Sequence, residues 1–380
     1  MSKFFKALPF KCPSCGSIMI HKIGTYHLEC QNCKSTKAID LDNTPKSKYP
    51  LNRYINQNLI VPTPKVVDCL GCGADIEFSE DEISKNCPYC NTPLVVKALN
   101  LIKPSKIIPF YIDSNEGRNI FKKWLGSLWF APSDLKNLLH YENRFKPTYV
   151  PFFSFDSSTS TYYTGQRGDI YYVQVTKRVY IDGKEQYITE MEPRIKWSYV
   201  SNTIYRDFKD ILIDAKSNLP DIAKNMNRYD LNTLVNYNPS FLSGYTSFEY
   251  NIELKECYEV AKSYMDSIIY KDILWDIGGD EQRVESYQSN FSNEAFDVYM
   301  LPMWISHFKY KNKEYAIIVN GATGEIIGDR PYSYFKIFAL IFVILLIAGA
   351  FFYVSQNYDF GGDFETNFHQ EFNIPKSQNF

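Results

Sequence analysis

Eight of the nine cysteines in this 380-residue chain fall in four Cys-x-x-Cys pairs. The two-residue spacer lets both sulfur atoms of a pair reach one metal ion, and thiolates bind Zn²⁺ well. Two pairs separated by fourteen residues form a first set, and the other two pairs repeat that spacing. The pattern predicts two metal sites with four thiolate ligands each. The ligands are Cys12, Cys15, Cys30 and Cys33 in the first site, and Cys69, Cys72, Cys87 and Cys90 in the second.

Four thiolates leave no open coordination position for water or substrate. We therefore expect two structural zinc ions, which stabilise modules too small to bury a core of their own. Gly16 and Gly73 follow the first pair of each set and suit the tight turn of such a site. Iron in a rubredoxin-like site is the alternative to zinc, and pairing of ligands across the two sets is the alternative arrangement.

The remaining candidate ligands carry weaker signals. His21 and His27 lie between the cysteine pairs of the first set. Exchange of a histidine for a cysteine ligand is one interpretation, and exposure on the surface is the one we expect. Cys257 stands alone in a helical pattern and is expected to be a core residue.

The composition predicts a folded protein with much β-structure. Apolar residues make up 45% of the chain and charged residues 22%, and the 30 Tyr and 27 Phe favour strands. The two sets of cysteines define a first zinc ribbon at 1–46 and a second at 65–97, with a linker at 47–64 between them. The region 100–330 is expected to be an α+β domain.

Periodicity places the elements of this region. Helices are predicted at 115–130 and 247–274, with a shorter one at 131–140. A hairpin turn is predicted at Asp182-Gly183, whereas the pattern defines no element boundaries between 275 and 296. Strands are predicted at 106–112, 148–156, 169–181, 185–200, 297–310, 314–319 and 325–329.

Eighteen uncharged, predominantly apolar residues run from 337 to 354. A helix of that length rises about 27 Å, close to the hydrocarbon thickness of a bilayer. The sequence therefore predicts a transmembrane helix at 333–355, followed by a short acidic tail at 356–380; a buried core helix is the alternative. Arg330 and Lys336 precede the span, so the N-terminal side is expected to be cytoplasmic and the protein to cross the inner (cytoplasmic) membrane once.

The sequence carries none of three common catalytic motifs. GxxxxGK[ST], HExxH and GxSxG are all absent, and the five histidines form no cluster. We therefore expect that the protein is not an enzyme. Residues 1–48 contain eight Lys and three acidic residues, whereas residues 62–97 contain three Lys and six acidic residues. The basic first ribbon suggests contact with phosphates. An acidic protein surface, anionic lipid headgroups or a merely solvated face are the alternatives.

An ordered set of motifs resembles a bacterial family. The motifs are the second ribbon and four stretches, which are LIKPSKIIPFYID, FKKWLGSLWFAPSDL, YVPFFSFDSSTSTYYTGQRGD and VYMLPMWISHFKYKNKEYAIIVNGATGEIIGDRP. Together they are similar to TFIIB-type zinc-ribbon membrane proteins labelled "primosomal protein N′-like" or "superfamily II helicase-like". The chain lacks the phosphate-binding loop that a helicase needs. The resemblance implies a relation to the zinc-ribbon subunit of phage-shock-type membrane-stress modules, which helps to recruit cytoplasmic membrane-remodelling proteins. The additional ribbon at 12–33 departs from the family pattern.

These observations favour a membrane-anchored adaptor that displays a cytoplasmic domain to protein partners, while its C-terminal helix contacts lipid. The alternative is a nucleic-acid-binding ribbon protein held at the membrane. Its phosphate contacts would come from the lysines of the first ribbon, which are Lys3, Lys6, Lys11, Lys22, Lys34 and Lys37.

Overall fold

The computed structural model describes residues 3–62, 65–133, 145–181, 184–220 and 229–357. It has a mixed α+β fold, which confirms the predicted class. The predicted turn at Asp182-Gly183, most of the short helix predicted at 131–140, and the acidic tail from residue 358 lie outside these ranges.

The N-terminal quarter of the chain consists of short strands and one short helix. They are β1 (Lys3–Lys6), β2 (Met19–His21), β3 (His27–Cys30), β4 (Thr36–Ala38), β5 (Tyr49–Pro50), α1 (Leu51–Tyr54), β6 (Lys65–Asp68), β7 (Asp75–Phe78), β8 (Glu82–Asn86) and β9 (Pro93–Val95).

The rest of the chain contains longer elements. They are β10 (Lys106–Ile107), α2 (Ser114–Ser127), β11 (Lys146–Ile181), β12 (Lys184–Asp214), β13 (Val235–Asn236), β14 (Thr246–Phe248), α3 (Leu254–Ile277), β15 (Glu281–Tyr310), β16 (Lys313–Asn320), β17 (Ile326–Gly328) and α4 (Tyr334–Asn357).

Three very long antiparallel strands dominate the fold. β11 has 36 residues, β12 has 31 and β15 has 30. β11 lies between the other two, and its pairing with β12 runs to Ile181 opposite Lys184. β15 pairs with β11 only from Ile305, opposite Lys146, to Glu281, opposite Gly168. The predicted strands 148–156 and 169–181 are therefore parts of one continuous strand, and the region without assigned boundaries contains the start of β15.

Helix α3 packs along the three long strands. Its buried residues recur at helical spacing and form one core cluster with β11, β12 and β15. The helix begins at Leu254 rather than at residue 247, because Thr246–Phe248 forms β14 against β8 and β11. It ends at Gly278, whose φ of 63° is a conformation that glycine adopts without strain.

Beyond Gly168 the sheet narrows to two strands, which we call the distal hairpin (residues 169–181 and 184–196). Within the described residues no third strand pairs with it. Several large apolar side chains of the distal hairpin are exposed to solvent, namely Ile170, Tyr171, Tyr172, Tyr180, Tyr187, Ile188 and Met191. In the part of the chain that the structure describes, neither edge of the distal hairpin is covered by another strand.

The segment predicted as a linker packs along the long strands instead. Leu51 and Leu59 are buried in the cluster that contains α3, and Tyr49-Pro50 pairs with β15. The Lys48 ammonium donates hydrogen bonds to Asp156 (2.6 Å), Asp210 (2.7 Å) and the Ser154 hydroxyl (2.9 Å). The prolines near both ends of the segment suggested a linker, but its apolar residues contribute to the core.

The two cysteine modules, residues 3–46 and 65–97, also pack onto the rest of the fold. β1 pairs in parallel with β6 of the second module, and β8 pairs with β14. The Lys65 side chain is fully buried and lies 3.7 Å from the Glu249 carboxylate, with hydrogen bonds to two backbone carbonyls. One core cluster therefore contains residues of both modules together with Phe110, Tyr149 and Trp304.

The opposite end of the long strands, which we call the base, contains α2, the hairpin of β16 and β17, and the start of α4. The Asp113 carboxylate caps α2 by accepting hydrogen bonds from the amides of Asn115 and Glu116. Lys336 donates a hydrogen bond of 2.7 Å to the Ala131 carbonyl, so α4 begins beside the end of α2. Among the described residues, Tyr334–Tyr353 is the one helical segment long and apolar enough to cross a membrane, and none of it is buried.

Candidate metal centres

The structure brings the eight predicted cysteine ligands together as two separate quartets. In the first, Cys12 Sγ lies 3.6 Å from Cys33 Sγ, and Cys15 Sγ lies 3.5 Å from Cys30 Sγ. All four sulfur atoms fall within 4.8 Å of one another. The hairpin of β2 and β3 joins the two pairs, so the ligand set is local, as the spacing predicts.

The second quartet repeats this arrangement. Cys69 Sγ and Cys90 Sγ are 3.4 Å apart, and Cys72 Sγ and Cys87 Sγ are 3.8 Å apart. In both quartets the first cysteine of each pair is buried and the second is exposed. Each site therefore lies at the surface of its module with one side open to solvent.

All four pairs have the same backbone turn. The carbonyl of the first cysteine accepts a hydrogen bond from the amide four residues later, and its own amide donates to the carbonyl five residues later. The residue after the second cysteine has a positive φ each time: Gly16 (76°), Lys34 (59°), Gly73 (74°) and Asn91 (58°). Glycine and asparagine tolerate this conformation better than lysine. The turn places both sulfur atoms of a pair on one side of the backbone.

A hydroxyl group beside one sulfur of each quartet favours the thiolate form of that cysteine. The Ser35 hydroxyl, 3.0 Å from Cys12 Sγ, lowers the pKa of that thiol to about 5. The Thr92 hydroxyl, 3.1 Å from Cys90 Sγ, lowers the pKa of Cys90 to about 6. Ser35 and Thr92 were not predicted as site residues, although each lies two positions after the last cysteine of its set.

The geometry fits a tetrahedral metal ion. A zinc ion at about 2.3 Å from each of four sulfurs implies separations of about 3.8 Å between the sulfur atoms. The four sulfur–sulfur distances given above lie between 3.4 and 3.8 Å. Both quartets are therefore compatible with structural metal ions, and a full set of four sulfurs would leave no ligand position for a substrate.

His21 is not at the surface, in contrast to our expectation. Its side chain is 2% exposed, packs edge-on against Phe241 and lies 3.4 Å from the Tyr245 hydroxyl. Its Nε2 atom lies 2.8 Å from the Thr25 carbonyl and donates to it, which fixes the neutral tautomer. Burial lowers the pKa of His21 to about 4. His27, in contrast, is exposed as expected.

The basic residues of the first module do not all remain available. Lys22 forms an ion pair of 2.8 Å with Glu29. Lys6, Lys11, Lys34 and Lys37 are exposed, and nothing is described of the Lys3 side chain. Cys257 is buried on α3, where burial raises the pKa of its thiol, and it contacts neither quartet. It is a core residue, as expected.

Comparison with known proteins gives one distant relationship. The chain is 23% identical over 342 residues to YdjG of Bacillus subtilis (strain 168), which is described as an uncharacterized protein. The alignment covers 87% of this chain and 92% of the relative. No family model matches the chain, and no solved structure matches it. The similarity extends over nearly the whole of both chains and therefore includes the sheet and at least part of the cysteine modules.

Proposed function

We propose that the chain is a single-pass membrane protein that serves as an adaptor for cytoplasmic proteins. Two structural zinc ions stabilise the cysteine modules, α4 anchors the chain in the inner membrane, and the distal hairpin binds the partner. The resemblance to membrane-stress modules suggests a complex of that kind. In this proposal the modules are zinc ribbons, and the N-terminal region and the α+β domain face the cytoplasm.

The zinc assignment is supported by the ligand type and by the sulfur separations. Four thiolates at tetrahedral spacing suit Zn²⁺, and closed sites of this kind stabilise folding. Anchorage is supported by the exposure of α4, because a soluble protein rarely leaves an apolar face of this length in water. Tyr334 and Tyr353 lie at the two ends of the apolar segment, where amphipathic rings favour the membrane interfaces.

The distal hairpin is the observation that carries the adaptor proposal. An isolated two-stranded ribbon is at best marginally stable in water. This ribbon nevertheless extends beyond the sheet with exposed tyrosines, and none of the other described strands pairs with either of its edges. Such edges can accept a strand of a partner, whose side chains would cover the apolar residues. β11 runs from the base, where α4 begins, to the far end of the distal hairpin, a strand length of about 120 Å.

A shortened hairpin tests the proposal. Deleting residues 172–181 together with 184–193 joins Tyr171 and Arg194, which are paired in the register, through residues 182–183. Paired residues in an antiparallel ladder alternate between hydrogen-bonded and non-hydrogen-bonded pairs. Removing ten residues, an even number, from each strand therefore leaves the same type of pair next to the turn. We expect affinity purification from mild detergent to recover a stoichiometric membrane-associated partner with the complete chain, and at least tenfold less of it with the shortened chain.

The control is a Trp275→Ser variant, which removes an aromatic side chain that is 84% exposed on α3. It should retain the partner, and both variants should keep the metal content of the complete chain. Equal recovery with the shortened hairpin would refute the role of the hairpin. A complete chain that is repeatedly isolated without a partner would argue against an adaptor.

A further inference from the structure

A second surface feature lies at the base, beside the start of α4. A cleft of about 920 Å³ opens there between the hairpin of β15 and β16, the segment that follows β17, and the first residues of α4. Tyr334 and Phe335 belong to α4 and line the cleft. The cleft is therefore continuous with the surface of the apolar helix.

The cleft is basic. Lys311, Lys313 and Arg330 line it, and none of the described lining residues is a carboxylate. None of the three basic side chains forms an ion pair with another described residue. Glu314 is near in sequence, but it pairs with Lys309 in the register of β15 and β16. Because side chains alternate between the two faces of a strand, Glu314 points away from the face that carries Lys313.

Aromatic rings position the three positive charges. Lys311 Nζ lies 5.5 Å from the Tyr310 ring, Lys313 Nζ lies 5.6 Å from the Tyr315 ring, and the Arg330 guanidinium lies 5.4 Å from the Tyr332 ring. These contacts restrict the long side chains. The Arg330 Nε–H group also donates a hydrogen bond of 3.4 Å to the Tyr332 hydroxyl. Lys311 is in the turn between β15 and β16, where a φ of 45° holds it at the tip.

We propose that this cleft binds the headgroup of an anionic phospholipid in the leaflet that α4 enters, an inference that rests on the proposed membrane anchorage. Lysine and arginine donate charge-assisted hydrogen bonds to phosphate oxygens. Each basic residue close to an anionic membrane surface raises the binding constant for that surface about fivefold. The exposed Phe335 would lie among the upper acyl chains, and Tyr332 and Tyr334 would lie at the level of the headgroups.

A lipid-selectivity measurement tests this inference on the complete chain. The protein is reconstituted in phosphatidylcholine bilayers that contain trace spin-labelled phosphatidylglycerol or spin-labelled phosphatidylcholine. At low salt we expect the protein to associate with phosphatidylglycerol about threefold or more strongly than with phosphatidylcholine. In K311Q/K313Q/R330Q this ratio should fall towards one. The variant K196Q/K209Q/K271Q removes the same charge from exposed positions away from the base, and it should keep the selectivity.

Each remaining outcome has one interpretation. Equal selectivity in wild type and K311Q/K313Q/R330Q would overturn the inference, as would loss of selectivity in the control variant alone. If inorganic phosphate at matched ionic strength abolishes the lipid selectivity, the cleft binds free phosphate instead. If an oligonucleotide binds in a salt-sensitive way and this binding is lost only in K311Q/K313Q/R330Q, the cleft binds nucleic acid. Extraction of the chain from membranes by alkaline carbonate would refute the anchorage itself, whereas an integral chain without lipid selectivity would refute only the cleft.

Discussion

At the scale of single residues, the cysteines are the part of the molecule that the sequence predicted best. Each quartet is closed by one short hairpin, so all four ligands of a site come from about twenty consecutive residues. Local spacing is then sufficient to identify the set, and the left-handed turn after each pair repeats four times. The alternative of ligands paired across the two sets does not occur.

Removing two ligands should remove one metal ion. In C87S/C90S the second quartet keeps two sulfurs, which are too few for a stable structural site. We expect the zinc content, measured by elemental analysis, to fall from two ions per chain to about one. The variant C257S removes the remaining cysteine, which lies outside both quartets, and should retain two ions. Two ions retained in C87S/C90S would contradict the ligand assignment.

His21 gives a pH dependence that is separate from that of the metal sites. Its pKa is about 4 in the folded protein and about 6.5 in the unfolded chain. Between these pH values the unfolded chain binds more protons at His21 than the folded protein does. The stability that the neutral, buried imidazole contributes is therefore complete above pH 6.5 and is lost as the pH falls towards 4. At pH 5 this loss is about 2 kcal/mol relative to pH 7.5.

Replacing His21 with glutamine tests this effect. Glutamine remains uncharged, so H21Q should lose less stability than wild type between pH 7.5 and pH 5, seen as a drop in Tm that is several degrees smaller. Acid weakens metal binding in both proteins, and this contribution cancels in the comparison. H27Q alters an exposed histidine and should behave like wild type. An identical pH response in H21Q and wild type would disprove the assignment of a buried neutral imidazole.

At the scale of elements, the least predictable feature was the continuity of β11. The sequence predicted separate strands at 148–156 and 169–181, and the Ser and Thr residues at 157–161 and the glycines at 165 and 168 lie between them. In the structure Thr161 forms a hydrogen bond of 2.8 Å with Ser289 across the sheet. At Gly165 and Gly168 a Cβ atom would collide with the backbone of Arg283 and with Ile195 and Trp197. Glycine therefore marks close approach of neighbouring strands here, rather than a turn.

The start of β15 was missed for a related reason. Residues 281–293 are mostly polar and alternate between exposed and half-buried positions. Their half-buried face is covered by α3, an element 4 to 27 residues earlier in the chain, and local periodicity does not reveal such a partner. Similarly, the segment at 47–64 looked like a linker because its burial depends on strands that lie about 100 to 250 residues away.

Lys48 is expected to fix this segment to the long strands. Its ammonium forms ion pairs with both Asp156 and Asp210. Asp210 has a φ of 53° at an irregular point of the β11–β12 pairing. In K48M two carboxylates remain close together without their cation, which should lower the free energy of unfolding by about 3 kcal/mol. Thermal unfolding in mild detergent measures this loss.

The double variant K48M/D210N serves as the control for Lys48. It removes one of the two carboxylate charges and should recover part of the lost stability. A K48M protein as stable as wild type would show that the ion pairs contribute nothing. No recovery in K48M/D210N would show that the lost stability came from packing of the lysine stem.

At the scale of the whole molecule, the sequence identified the parts but not their arrangement. The α+β class, the quartets and the apolar helix follow from composition and local patterns. The attachment of both cysteine modules to the main sheet does not, since it depends on pairs such as β8 with β14, which are about 160 residues apart. The shared core also implies that loss of the second metal ion in C87S/C90S should loosen the first module, which pairs with β6.

The length of β11 has an electrostatic consequence. At physiological ionic strength the field of a charged surface decays over about 8 Å, whereas about 120 Å of strand separates the two ends of β11. With the base at the bilayer, a protein bound at the far end of the distal hairpin would not sense the charge of the lipids. Binding of a partner at the far end of the distal hairpin would then depend on the partner's concentration, and contact of the base with headgroups would depend on lipid composition. The two would be regulated independently.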